Sequence, residues 1–188
     1  MTLPSEQIDP REPADGDLVA ALAAGSMSAL GTLVGRHQGR IRALAYRLTH
    51  RWDVADDIAQ EAFLRLYRAA PRYRPDASLK TWLYRVTVNL VLDRAKKRRP
   101  QGDFDATEAV FQAESPEATL IRHEAVDAVR RAVAQLPERQ RVVLVLHRYD
   151  DLSHQEIANV TGWSTSAVES LLVRAYGRLR EELGDWAK

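Results

Sequence analysis

No cysteine occurs among the 188 residues, which removes a disulfide framework and any thiolate metal site. That absence fits a reducing compartment. No apolar run approaches the ~18 residues that a membrane span needs. The opening stretch, MTLPSEQIDPREPADGD, is acidic and has no apolar core of the kind a secretory signal carries. A soluble, cytoplasmic protein is expected. Strand signals are almost missing, and there is neither an internal repeat nor a low-complexity tract. His37, His50, His123, His147 and His154 are scattered, with no pair at ligand spacing, so neither a metal, a cofactor nor a catalytic nucleophile is expected. Asp56 and Asp57 are adjacent on a helix and diverge by about 100°, which argues against a shared acid–base site.

What is present is 45% hydrophobic and 28% charged, a globular balance. The net charge of +1 conceals a strong segregation. Residues 1–27 hold five anions against one cation, and residues 28–70 hold seven cations against four anions. Residues 71–99 then hold nine cations against two anions, a net +7. Residues 100–120 follow with five anions and no cation. A basic block of this kind predicts a polyanionic partner.

Helical periodicity runs nearly throughout. Leu30, Leu33 and Val34, then Ile41, Leu44, Ala45 and Leu48, predict one helix. Val54–Ala70 predicts a second, with Ile58, Ala62 and Leu66 on one face. Pro71 and Pro75 bracket a loop, and a third helix is expected from about Leu79 to Arg99, stopped by Pro100. Pro100–Ala118 has no stable period and reads as a flexible acidic linker. Further helices are expected over Glu117–Gln135, Pro137–Arg148, Ser153–Thr161 and Thr165–Leu183. The fold class is therefore all-α, two small helical modules joined by the linker, with a helix-turn-helix in the second.

That pair of helices carries the most specific signal. Ser153 and Glu156 have capping-box spacing, and so do Ser166 and Glu169 at the next helix start. Gly162 sits in the turn between them, free to take positive φ. Ala158 is small enough for a close helix crossing, and Val168, Leu171, Leu172, Ala175, Leu179 and Leu183 form a core stripe. The opposite face offers Ser164, Thr165, Ser166, Glu169, Ser170, Val173, Arg174 and Arg178 to the major groove of duplex DNA. Glu169 is read as a cap in preference to an acceptor for a cytosine amino group.

In WLYRVTVNLVLDRAKKRRP, Trp82, Arg85, Asn89, Asp93 and Lys96 fall on one narrow stripe of an otherwise apolar helix. Arg72, Arg74 and Lys80 precede it. Rings interleaved with cations suit single-stranded nucleic acid, because bases stack on rings while cations follow phosphates. Lys96, Lys97, Arg98 and Arg99 admit two readings, a phosphate track or a solvated helix end that complements the dipole. Asn89 likewise admits a base contact or a bond to a neighbouring helix.

These segments together resemble the extracytoplasmic-function (ECF) group of bacterial RNA polymerase sigma factors, within the sigma-70 family. DVADDIAQEAFLRLYRA is similar to the family's core-polymerase-binding helix, which implies that role for Asp56, Asp57, Gln60, Glu61 and Phe63. YRPDASLKTWLYRVTVNLVLDRAKKRR is similar to its −10 segment. The resemblance thereby implies a melted −10 strand held by Arg72, Arg74, Asp76, Lys80, Trp82, Arg85, Asn89, Arg94, Lys96, Lys97, Arg98 and Arg99. LPERQRVVLVLHRYDDLSHQEIANVTGWSTSAVESLLVRA is similar to its −35 module. Many relatives carry cations where this chain has Glu169, Leu171 and Tyr176, so the −35 face is only weakly basic. The resemblance implies an acidic tail with the start of the first helix over residues 1–27, a region 2-like module over 28–99, a linker over 100–120 and a region 4-like module over 121–188. It also implies core polymerase, promoter DNA and an anti-sigma protein as partners, with no chemistry done by the chain itself. The competing reading is a stand-alone helix-turn-helix regulator, which would bind duplex DNA without polymerase.

Overall fold

The computed structural model describes residues 13–74, 78–98 and 118–184, with side chains absent from the description at 98 and at 118–125. Among these the chain forms eight α-helices and no strand. They are α1 (Asp15–Ala23), α2 (Met27–Thr49), α3 (Trp52–Ala69), α4 (Leu79–Arg98), α5 (Ala118–Gln135), α6 (Glu138–Tyr149), α7 (His154–Thr161) and α8 (Thr165–Leu183). Of the acidic linker expected over residues 100–120, residues 100–117 lie outside the described residues and residues 118–120 open α5.

Helix α1 lies within residues 1–27, where the sequence reading had an acidic tail and the start of the first helix. Leu18, Val19 and Leu22 are buried at helical spacing, and Asp15 and Asp17 complement the dipole in the first turn. Asp15 anchors the helix: its carboxylate accepts from Arg36 at 3.1 Å and lies 2.8 Å from His37 Nε2. The apolar triplet was visible in the sequence, but so short a helix needs α2 beneath it to form.

The next three helices make the first module. Ser26 caps α2, and His50 ends it in the left-handed region at φ 55°, its N–H bonded to the Tyr46 carbonyl. Ala55, Ala59 and Ala62 on α3 are all buried, leaving room for α2 to approach closely. Helix α4 lies across both and buries Leu83, Tyr84, Val88, Leu90 and Val91. Thr87 is fully buried there, and its hydroxyl donates to the Leu83 carbonyl at 2.8 Å, so the polar group is satisfied. Truncating a fully buried residue such as Leu33 or Leu44 to Ala is expected to cost ~2–5 kcal/mol.

In the second module, α5, α6 and α8 enclose Val133, Leu136, Leu144 and Ala175. Ser153 forms the expected capping box with Glu156, and α7 ends at Gly162 with φ 74°. A side chain at Gly162 would meet nothing within 4 Å, so the glycine serves the backbone conformation and not close packing. The residues expected at the α8 cap differ: Ser164, not Ser166, accepts from the Ala167 N–H.

The two modules pack against each other. Helix α7 lies on α4, and α6 reaches α2. Val142, Val143, Leu146, Leu152, Ile157 and Val160 continue the buried core of the first module without a break.

Candidate polymerase and nucleic-acid interface

The end of α3, the short turn Ala70–Arg72 and the start of α4 enclose a cleft of about 650 Å³. It is lined by Arg65, Arg68, Arg72, Tyr73, Arg74, Trp82 and Arg85. Tyr73 meets the half-buried Trp82 edge-on, with ring centres 6.2 Å apart. Five arginines around an indole make a site for a polyanion that also carries flat rings. Arg72, Arg74, Trp82 and Arg85 were foreseen in one surface, whereas Arg65 and Arg68 were missed. Their signal was available, since two cations at i and i+3 close α3 immediately before the basic loop.

Other residues expected on the strand side divide differently. Lys80 turns away from the cleft, toward the Tyr84 ring at 5.5 Å, and faces α7. Arg94 points at α3 instead of along the strip, 3.4 Å from Asp57. Asn89 and Asp93 are exposed, and Lys96 lies 3.7 Å from Asp93. Lys97 is exposed; Asp76, Arg99 and the side chain of Arg98 lie outside the described residues. Arg85 is exposed, and its guanidinium donates to the Asn159 carbonyl on α7 at 2.6 Å.

The outer face of α3 carries Asp57, Gln60 and Glu61, and between them the exposed Leu64. An apolar side chain within a polar rim is the usual anatomy of a protein-binding patch. Asp56 makes a two-toothed pair with Arg42, which holds its carboxyl below the usual range. Glu61 accepts from Arg65 at 2.9 Å. Phe63 is 7% exposed and belongs to the core, because it falls on the inner face with Ala59 and Leu66. The expectation that Phe63 is itself a contact is therefore corrected, and Leu64 takes its place on the surface.

On α8, Ser166, Glu169, Ser170, Arg174 and Arg178 are exposed, as is Val173 at 72%. Thr165 is half-buried, and its hydroxyl donates to Gln155 Oε1 at 3.3 Å, tying the two helices of the pair. Arg174 bonds back to the Ser170 carbonyl at 3.1 Å. Glu169 is not a cap: with Ser164 in that role, its carboxylate stands 3.6 Å from His154 Nδ1. His154 and His147 have ring centres 5.7 Å apart, and Tyr176 reaches His147 at 3.4 Å. Sequence spacing did not reveal this cluster, because α6, α7 and α8 each supply part of it. Among the described residues no group of three acidic or imidazole side chains is placed to hold a metal ion.

The family model for Sigma-70 region 2 matches residues 33–101, and that for Sigma-70, region 4 matches residues 127–179. The RNA polymerase sigma-H factor of Pseudomonas aeruginosa is 34% identical over 172 residues, covering 86% of this chain and 89% of that one. This chain belongs to the ECF sigma factors of the sigma-70 family. The ECF RNA polymerase sigma-E factor of Escherichia coli is also 34% identical, covering 86% of this chain and 90% of its own. SigW of Bacillus subtilis is 30% identical, with 86% and 92% covered. Among solved structures, CnrH in complex with the cytosolic domain of CnrY is similar with a TM-score of 0.66 and 27% identity, covering 91% of this chain and 97% of that chain. The sigma factor RpoE of Bartonella quintana, solved with the anti-sigma factor NepR, has the same fold, with a TM-score of 0.66 at 22% identity. This ECF sigma factor is thus a promoter-directing transcription initiation factor, and its family is not one of enzymes. Among the described residues no helix is long and apolar enough to cross a membrane.

Proposed function

We propose that this sigma factor binds core RNA polymerase through the outer face of α3 and reads its promoter at two places. The α7–α8 pair takes the −35 duplex in the major groove, and the cleft at Trp82 takes the melted non-template −10 strand. The observation that carries this reading is the cleft itself, five arginines around a tryptophan, in a chain that also presents the exposed face of α8. Flipping a base out of the stack costs a few kcal/mol, which stacking and phosphate contacts must offset. The division into residues 28–99 and 121–188 follows these two roles, with residues 100–120 as tether. Asp56, Asp57, Gln60, Glu61 and Leu64 are the polymerase face. By likeness to CnrH, solved with CnrY, an anti-sigma protein is a further partner. The setting is the cytoplasm, where the polymerase works, and no cofactor is needed.

In vitro transcription with core polymerase on a promoter library tests this. Core-dependent transcripts sharing two spaced motifs are expected. A chain that shifts duplex DNA equally well without polymerase would instead be a stand-alone regulator.

A further inference from the structure

The turn that leads Arg72 and Tyr73 into the strand cleft is seated on α1. Ala70–Arg72 continues from the end of α3, and its chief neighbour from elsewhere in the chain is α1. Helix α1 is itself clamped at its start by Asp15, whose carboxylate accepts from Arg36 Nη1 at 3.1 Å and lies 2.8 Å from His37 Nε2. Resting on the strand-reading role given to the Trp82 cleft, we propose that Asp15 is a positioning residue for the −10 strand. It holds α1 against the turn and thereby fixes Arg72 and Tyr73 in the cleft.

The clamp acts where α1 needs it. The far end of the helix is already tied to α2, since Gly25 takes φ 95° and the Ser26 N–H bonds the Ala21 carbonyl at 3.0 Å. At the near end Arg36 Nη1 also donates to the Pro13 carbonyl at 2.8 Å, so two neighbouring side chains of α2 grip the start of α1. Nine residues are too few to hold a helix in water unaided, so α1 depends on this grip and on burial of Leu18, Val19 and Leu22. Ala70 of the turn is buried in the same apolar cluster as those three. Within the turn the Tyr73 N–H bonds the Ala70 carbonyl at 3.2 Å, a local contact that shapes the turn without placing it on the module. Placement falls to α1 and to the end of α3. Beyond the turn the Tyr73 ring meets Trp82 edge-on, and Arg72 and Arg74 are exposed beside them. A flexible strand binds such groups more tightly when they already stand in place, because ordering them on binding costs affinity.

The sign of one substitution separates positioning from plain electrostatics. Asp15→Ala removes an anion, which by charge alone should strengthen binding of a polyanion. Positioning requires the reverse. Holoenzyme reconstituted from core polymerase and the Asp15→Ala chain should bind a fluorescent mixed-sequence single-stranded DNA about 5-fold more weakly than wild type, the scale of one lost hydrogen bond. Affinity for core polymerase should not change. Asp15→Glu keeps the carboxylate and should recover most of the loss, and Asp17→Ala, which removes an exposed anion from the same helical turn, should cause none. Amide hydrogen exchange in Asp15→Ala should quicken at Ala70–Tyr73 and stay slow along α3. If Asp15→Ala fails to fold by circular dichroism, Arg36→Gln, which loosens the same clamp, decides the matter. Strand affinity that is unchanged or raised in the folded variant overturns the proposal, as does exchange that quickens throughout the module. Trp82→Ala with wild-type strand affinity overturns the cleft reading itself, whatever the Asp15 variants do.

Discussion

Asp57 and Arg94 stand 3.4 Å apart, joining the α3 face proposed for polymerase to the helix proposed for the −10 strand. Both side chains are well exposed, so the pair itself adds at most about 1 kcal/mol. Arg94→Ala should therefore shift the urea midpoint little. Asp57→Ala and Gln60→Ala should weaken core-polymerase binding, measured by fluorescence anisotropy. Leu64→Ala should weaken it more, by about 10-fold, if the exposed leucine is the buried centre of that contact.

Trp82→Ala is expected to impair promoter opening, followed by permanganate footprinting, while core binding persists. Because Trp82 packs partly on the core, a melting curve must accompany it. Arg68→Glu provides a second test from α3, with no core side chain removed. Loss of core binding in Arg68→Glu would move this cation from the strand surface to the polymerase face.

Two substitutions separate capping from DNA reading on α8. Ser164→Ala should cost about 1 kcal/mol of stability, because its oxygen satisfies the Ala167 N–H. Glu169→Ala should cost far less. Arg174→Ala should weaken duplex −35 binding and reduce the salt slope by about one, as for one lost phosphate contact.

His50 sets a pH dependence. Burial, then the nearby Arg141 and Arg130, push its imidazole down to about 4 from 6.5. The unfolded chain thus takes up a proton below pH 6.5 that the folded chain refuses until about 4, so stability falls as pH drops through that window. The slope reaches about 1.4 kcal/mol per pH unit at most. Asp150 works oppositely, since burial raises its carboxyl and the folded state gains protons there more readily. His50→Asn tolerates the left-handed backbone and should flatten the His50 part of the profile, read by denaturation at several pH values.

Most helices were legible from periodicity, since α3 and α8 each bury a stripe within their own module, while α4 and α7 also bury residues against each other. The remainder was set by distant partners. Phe63 and Leu64 differ by one step around α3, and a motif match does not say which of them faces inward. Ser164 and Ser166 both satisfy cap chemistry, and only the turn after Gly162 selects between them. Lys80 belonged by proximity in sequence to the cleft, but α7 draws it to the other side. The packing of the modules left no periodic trace, because the Tyr84–Asp150 bond across it joins residues 66 apart.

Tyr84 is 1% exposed, with its ring in the first module's core and its hydroxyl at the seam. Any replacement other than Phe would therefore disturb the first module's core together with the seam. Asp150 has no such double duty, since it sits in the connection between α6 and α7. Substitutions that loosen the seam alone are therefore expected at the aspartate and not at the tyrosine. One end of the bond is free to evolve, and the other is held in place by the core.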